Sequence, residues 1–509
     1  MMNRCNIVLF AISLLFSSSL IAGTIDVTKR GAKGDGVTDN TIIIQKAVDE
    51  CSKKGGGTVL IPSGSYLIRP IELKSNVNLH LDFGTLLLGS TRLSDYDHAF
   101  PFKDGNMNQS SGLLFARGQK NISITGFGTI DGQGGNKAFQ FGNDADGGPK
   151  RPKIIYFVEC QGIVVTDVTL RNSAYWVQHY EKCEDVTIRG LKVFSHCNYN
   201  NDGLDIDAKN ATISDCYIDV EDDAICFKSD HPDFCENITV TNCVTASNCN
   251  AIKFGTASHG GYRNIAVSNC VVRRAAEDNI RHWSKQLEHI SADVTVISGV
   301  AIEMVDGGII DGITVSNISM RDVQTPIFIR LGDRHRTYRK EGGVLKNINI
   351  SNIVATAESL IACSITGVET SYVENVSINN VQISYPGGGT SDMVNKPVPE
   401  MTKSYPENRM FGNTLPAAGF YVRHARNVRF NNVRFDAMKP DVRPLFFLDD
   451  VVGAELNQCK GAAPADAKFI RTVHSSGIVA DGKYLDKSEY VYEMLETNIL
   501  FALSLLLFG

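Results

Sequence analysis

Two aliphatic residues flanking one other residue form a motif that recurs along the chain and limits its possible folds more than any other feature. The motif, loosely kept, starts at Ile122, Ile163, Val186, Ala211, Ile238, Ile265, Ile313, Ile348, Val376 and Val428. From Ile163 to Ile265 successive starts lie 23, 25, 27 and 27 residues apart, and the later gaps of 48, 35, 28 and 52 fit one or two repeats with inserted loops. A period in the twenties built on short alternating strands marks a solenoid. Each strand is followed by a different one before the motif recurs, so two-residue hairpins cannot pair them. Coiling the chain stacks equivalent strands in parallel about 4.8 Å apart, pairs every ladder and buries every alternate apolar residue. The expected fold is therefore all-β, a single-stranded right-handed parallel β-helix. A leucine-rich repeat would need leucine at fixed positions and a helix in every repeat, and the chain has neither.

Two columns of residues support the stacking. Asn242, Asn269, Asn317, Asn352, Asn380 and Asn432 share one repeat position, where an amide can bond its counterparts above and below and also satisfy a turn. Cys216, Cys243 and Cys270 occupy the next position. One coil apart and facing inward, they fit a column of small apolar residues better than disulfides, because free cysteine packs as a small hydrophobe.

The ends differ from the coils. Residues 1–22 read as a signal peptide, with Arg4 in a short n-region, an apolar run from Ile7 to Phe16, and Ala22 before Gly23. That run is shorter than the roughly 20 residues of a membrane span, so a secreted or periplasmic location is expected. Thr38-Asp39 should cap a short amphipathic helix from Asn40 to about Lys53, with Ile43, Ala47 and Val48 on one face and Gly55-Gly56-Gly57 ending it. This segment reads as an N-terminal cap on a β-helix spanning residues 23–470, with residues 471–509 as a C-terminal tail. Between Pro386 and Pro416 a proline- and glycine-rich stretch breaks the repeat and reads as a long surface loop. The net charge of −6 gives no support for a nucleic acid or an anionic membrane as partner, and a monomer is expected.

The chemistry concentrates in two stretches, Asn200-Asn201-Asp202-Gly203-Leu204-Asp205-Ile206-Asp207 and Glu221-Asp222-Asp223-Ala224-Ile225-Cys226-Phe227-Lys228. Aligning Asp202 with Asp223 places Leu204 over Ile225 and Ile206 over Phe227, a separation of one coil. Period-2 alternation then sends Leu204, Ile206, Ile225, Phe227, Ile252 and Phe254 inward, and Asp205, Asp207, Cys226, Lys228 and Lys253 to the outer face. Asp202, Asp222 and Asp223 meet at the strand entrances of adjacent coils. A single aspartate there would be a turn or a solvated face. Three together repel one another, which raises at least one pKa. A carboxyl held protonated beside carboxylates held ionised is what glycoside hydrolysis needs, an acid for the leaving oxygen and a base for water. The carboxyl separation expected for water to fit between acid and base is roughly 6.5–9.5 Å.

On these residues the chain resembles the family 28 glycoside hydrolases, the polygalacturonase family, over most of its mature length. Asp35-Gly36-Val37-Thr38-Asp39-Asn40 with Gly55-Gly56-Gly57-Thr58-Val59 resembles the family's N-terminal cap, Asn200-Asn201-Asp202 its Asn-Thr-Asp motif, and Asp222-Asp223 its paired aspartates. The resemblance implies inverting hydrolysis of α-linked pectic sugars without a cofactor or metal, with Asp222 as general acid and Asp202 and Asp223 positioning and deprotonating the water. Two departures stand out. Asn250 occupies the histidine position of the family's Gly-His-Gly, and Gly299-Val300-Ala301-Ile302-Glu303 stands where polygalacturonases carry Arg-Ile-Lys.

Lys228, Lys253 or Arg330 could replace the lost basic residues as substrate carboxylate partners, Arg330 with bidentate geometry. Lys228 could equally be a salt-bridge partner of Asp205 or Asp207. Asn200 and Asn250 are further candidates for substrate contact. Trp176, one coil before the acids, could be a sugar platform or a core residue, and Arg334, His335 and Arg336 form a basic loop near the same face. Inserted loops that close one end of a groove would favour exo action, and rhamnogalacturonan is a second possible substrate. Two other readings use the same fold. A polysaccharide lyase would hold Ca²⁺ on Asp202, Asp205, Asp207, Asp222 and Asp223 and use Lys253 or Arg330 as base; a non-catalytic β-helix would only bind carbohydrate.

Overall fold

The computed structural model describes residues 23–97, 111–139, 151–276, 296–334, 341–461 and 469–485. The expected signal peptide, His335 and Arg336, and the apolar end of the tail lie outside these residues.

The coils stack as the repeat requires, in a right-handed parallel β-helix. Ile122, Ile163, Val186, Ala211, Ile238, Ile265, Ile313, Ile348, Val376 and Val428 pair one to the next in a single unbroken ladder. Among the described residues every strand-to-strand ladder is parallel except a hairpin between Val479–Ala480 and Lys483–Tyr484. The apolar residues that alternate inward form one column of core from Val27 to Ala480. Strand pairing continues past the boundary expected at residue 470, through Ile470–Val473 and Ser476–Ala480 on the preceding coil.

The cap helix α1 (Thr41–Lys53) buries Ile44, Ala47, Val48 and Cys51. The core-facing residue of its first turn is thus Ile44, where the sequence pattern suggests Ile43. Asp39 Oδ1 accepts the Thr41 backbone N–H at 2.9 Å, while the Asn40 amide holds the incoming loop at Lys33 and Thr38.

The asparagine column forms at a corner where each backbone is left-handed, with φ of 52–57° at Asn242, Asn269, Asn317, Asn352, Asn380 and Asn432. Asn317, Asn352, Asn380 and Asn432 each donate Nδ2 to the Oδ1 of the asparagine one coil before, at 2.9–3.1 Å. The chain of amides breaks once: Asn269 donates to Thr241 Oγ1 instead of to Asn242. A second column, Asn210, Asn237 and Asn264, repeats the device at another corner, a pattern the first column conceals in the sequence. Asn317→Ala removes both amide bonds and places a Cβ-bearing residue without a local hydrogen bond at φ 57°, and should cost about 1–2 kcal/mol. Asn317→Gly, which keeps the backbone preference, should cost less; equal shifts of the urea midpoint would contradict this account.

Cys216, Cys243 and Cys270 are unpaired and buried, and each thiol lies 3.2–3.3 Å from the carbonyl two residues before it. Cys51, Cys160, Cys183, Cys226, Cys235, Cys249, Cys363 and Cys459 are likewise unpaired and buried, in agreement with the packing reading.

Candidate active site

Six strands set out the site: β1 (Gln178–Arg189), β2 (Leu204–Ser214), β3 (Ile225–Ser229), β4 (Asn250–Ser258), β5 (Val296–Met304) and β6 (Ile309–Leu331). Leu204, Ile225, Ile252, Val300 and Ile327 stack inward in register. The adjacent outward column is His179, Asp205, Cys226, Lys253, Ala301 and Phe328. The alternation holds, but outward does not mean solvated, since Asp205, Asp207, Lys228 and Lys253 are all buried.

The entrance to β2 is built by its neighbours. Asn201 donates Nδ2 to the carbonyls of Ser173 and Tyr175 at 2.9 Å, and its Oδ1 accepts from Ser195 Oγ at 2.9 Å, which fixes the turn that presents Asp202. Gly203 permits the next coil to close, because a Cβ there would lie 2.4 Å from Ile218 Cγ2 and 2.7 Å from the Ala224 carbonyl. Asn200 is held aside by Arg151, whose Nη2 donates to its Oδ1 at 3.0 Å.

Asp202, Asp222 and Asp223 are brought together. One oxygen of Asp223 lies within 4.8 Å of an oxygen of Asp202, and one within 4.8 Å of an oxygen of Asp222. These are nearest-oxygen approaches, shorter than the separation between whole carboxyl groups to which the expected range of roughly 6.5–9.5 Å refers. Oxygens no further apart than 4.8 Å can share one water through two hydrogen bonds of about 2.7 Å each. Lys228 Nζ lies 3.3 Å from Asp202 Oδ2 and 3.2 Å from Asp205 Oδ1, while Lys253 Nζ lies 3.0 Å from Asp223 Oδ2 and 3.8 Å from Glu303 Oε2. Asn250 donates Nδ2 to Asp223 Oδ1 at 2.8 Å, and its backbone N–H points to the same oxygen.

Five buried carboxyls, Asp202, Asp205, Asp222, Asp223 and Glu303, therefore face two ammonium groups. In a medium of low dielectric such a cluster keeps protons until its charges nearly balance. Burial, and then the charge of Asp222, push the Asp202 carboxyl up to about 8, against the pull of Lys228. Burial and then Asp223 push Asp222 up to about 7, and burial lifts Glu303 to about 7 and Asp205 well above the usual range. Asp223 moves the other way: burial would raise it, but Lys253, Lys228 and the Asn250 amide together hold it below the ordinary value. Burial opposes charge on both lysines and is outweighed, by Asp205 first for Lys228 and by Asp223 first for Lys253. The site thus sets an ionised carboxylate beside a protonated carboxyl on the same turn.

Residues 51–403 match the sequence profile of glycosyl hydrolases family 28. The chain belongs to that family. A probable polygalacturonase of Vitis vinifera is 33% identical over 214 residues, 39% of this chain and 43% of the relative. An exo-poly-alpha-D-galacturonosidase of Dickeya chrysanthemi is 27% identical over 260 residues, 42% of this chain and 43% of the relative. The chain spans under half the length of these two curated relatives. The crystal structure of a hyperthermoactive exopolygalacturonase from Thermotoga maritima shares the fold with a TM-score of 0.58, at 23% identity over 71% of this chain and 87% of that one.

Within this family 28 chain the other candidates divide. Lys228 and Lys253 reach the acids, and Asn250 binds one directly. Lys228 pairs with Asp202 and Asp205, not with Asp207, which lies under the influence of His231 instead. Trp176 is close to the site but only 7% exposed, and its ring already carries Lys228 Nζ at 4.5 Å and Lys153 Nζ at 4.7 Å. Arg330 is not in the cluster: its Nη1 donates to the Gly367 carbonyl at 2.8 Å and its Nη2 to the carbonyls of Glu400 and Met401 at 2.9 and 3.2 Å. It anchors the long loop, as period-2 alternation gave its direction but not its partner. Arg334 is likewise taken up, by Asp306 at 2.7 Å. Sequence reasoning passed over Tyr405, which enters from that loop, and over Glu303 as a partner of Lys253. It also passed over His179 and Glu181, although the alternation in β1 points both outward; His179 meets Lys153 at 3.0 Å and Glu181 meets His231 at 3.0 Å.

Proposed function

We propose that the chain is an inverting glycosidase of pectic poly- or oligosaccharides, exported and exo-acting on α-linked galacturonic-acid-containing chains. The observation that carries this reading is the convergence of the buried Asp202, Asp222 and Asp223, in which Lys253 and the Asn250 amide bind Asp223 and hold it low while burial displaces Asp222 upward. Asp222 donates its proton to the glycosidic oxygen as the bond from that oxygen to C1 breaks. Water, held between Asp223 and Asp202, forms the new bond to C1 from the opposite face and gives its proton to Asp223. Asp202, itself held protonated, orients that water, where the family resemblance leaves Asp202 and Asp223 sharing both tasks. Proton exchange with solvent restores Asp222 and Asp223.

The donor set disfavours a Ca²⁺-dependent lyase. Ca²⁺ takes six to eight oxygens, whereas the groups closest to a metal-like geometry here each include a thiol, Cys226 or Cys249, and two ammonium groups already occupy the carboxylates. Lys253 as a base would have to lose a proton that Asp223 and Glu303 stabilise. Exo action is supported by the loop of residues 386–416, which folds over the coils beside the acids, and by the exo-acting names among the relatives. Export is supported by the leader pattern, and no helix among the described residues is long and apolar enough to cross a membrane.

The test is product analysis on polygalacturonate, rhamnogalacturonan and short galacturonides, with the first-formed anomer read by NMR. Saturated monosaccharide released early with inverted configuration is the expected result. Unsaturated products would establish a lyase, and no new reducing ends after long incubation would leave a binding protein.

A further inference from the structure

The loop of residues 386–416 is a strap with its own anchors. The Arg330 and Arg423 guanidiniums grip its backbone, Arg423 at the carbonyls of Val398 and Pro399 at 2.7 and 2.8 Å. Asn408 donates Nδ2 to the Ile297 carbonyl at 3.0 Å and to Thr325 Oγ1 at 2.9 Å, and Phe411 and Leu415 pack with Tyr421 in a small apolar cluster beneath. Between the Met401 and Asn408 anchors the strap lowers Tyr405 onto the acids. Lys253 Nζ donates to Tyr405 Oη at 3.1 Å, and the same ammonium lies 3.0 Å from Asp223 Oδ2. Burial raises the pKa of its hydroxyl, yet the residue as a whole is 51% exposed. Its ring is thus pinned at one end with much of its surface open, within one ammonium group of the carboxylate that stays ionised.

A rigid aromatic face with a satisfied polar tip suits the C–H face of a pyranose ring, which it covers at small entropic cost. Trp176 cannot serve in the same way, since its ring is buried and already holds two ammonium groups. Tyr405 lies just beyond residue 403, where the family match ends.

We propose that Tyr405 is the sugar-stacking platform next to the scissile bond, and that the strap which carries it determines which pyranosyl residue the site accepts. The proposal rests on the glycosidase reading. It is tested on the full chain by Tyr405→Ala, Tyr405→Phe and Tyr405→Trp, each measured twice: by kinetics, and by calorimetry with trigalacturonate in the Asp222→Asn background. Tyr405→Ala should weaken trisaccharide binding at least about tenfold and raise KM by a similar factor with kcat changed less than about threefold. Tyr405→Phe and Tyr405→Trp, which keep a ring, should weaken binding by no more than about threefold. Unchanged binding in Tyr405→Ala overturns the proposal, as does an equal loss in Tyr405→Phe, which would assign the effect to the hydroxyl on Lys253. Strap collapse is separated by proteolysis of the alanine variant: cleavage within 386–416 with binding restored by neither aromatic variant also overturns it. A parent that binds trigalacturonate but releases no reducing ends sinks the hydrolase reading alone, and the calorimetry still decides the role of Tyr405.

Discussion

Asp222→Asn is expected to lower kcat by about 10³-fold while leaving the chain folded, and to make it more stable than the parent at pH 7. The first effect follows from the role of proton donor proposed for Asp222. The second follows from the direction of the pKa. Asp222 is raised to about 7 in the folded chain against 3.8 in its absence. An acid raised on folding contributes stability that is fully present below the unfolded value and is lost as pH rises through the folded one. Its contribution therefore declines between about pH 4 and 7, and an amide of the same shape, which never ionises, removes that decline. The parent should show a rate profile with an alkaline limb near 7 from Asp222 and an acid limb below the ordinary carboxylate range from Asp223. Denaturation at pH 4, 5.5 and 7, set beside kcat for both proteins, checks the account. Retained activity would remove Asp222 as the acid, and an unchanged dependence of stability on pH would remove it as a buried protonated carboxyl.

How much of this was legible in the sequence depends on whether a contact is fixed by periodicity. The register of Leu204 on Ile225 is fixed by alternation and coil length, because a slip of one residue would turn the whole apolar set outward. The same rule brought Asp202, Asp222 and Asp223 together and aimed Lys228 and Lys253 at them. It could not say what roofs the outer face. The strap has no period, so its proline-rich sequence marks a loop without indicating that Tyr405 touches Lys253, 152 residues earlier in the chain. Arg330 shows the boundary clearly: its direction came from Ile327 and Ile329, its partners from a segment about 70 residues later. Glu303 looked like the loss of a basic residue, and in the folded chain it is a second carboxyl for Lys253, where it helps hold the ammonium charged.

That ammonium carries the other large expected effect. Lys253→Met is expected to destabilise the fold by about 3–5 kcal/mol at pH 7, because removing one partner of a buried pair leaves the other charge uncompensated. Asp223 would lose the largest influence that opposes its burial, and its pKa should move up from below 3.8 to above it. In the parent, Asp223 has a depressed folded pKa, so its contribution is present above the unfolded value and is lost only as pH falls through the folded one. In the variant the sign reverses, and stability is lost as pH rises. The difference between the two proteins should therefore be greatest at neutral pH and shrink below about pH 4, where Asp223 is protonated in the unfolded chain and in the variant. The acid limb of the rate profile should move upward together with it, since the base is ionised over a narrower range. Urea midpoints at pH 3.5, 5 and 7 would detect the convergence, and Lys253→Met combined with Asp223→Asn should recover most of the stability lost by the lysine substitution alone. A loss of equal size at all three pH values would point to lost packing of the lysine stem instead of an uncompensated carboxylate.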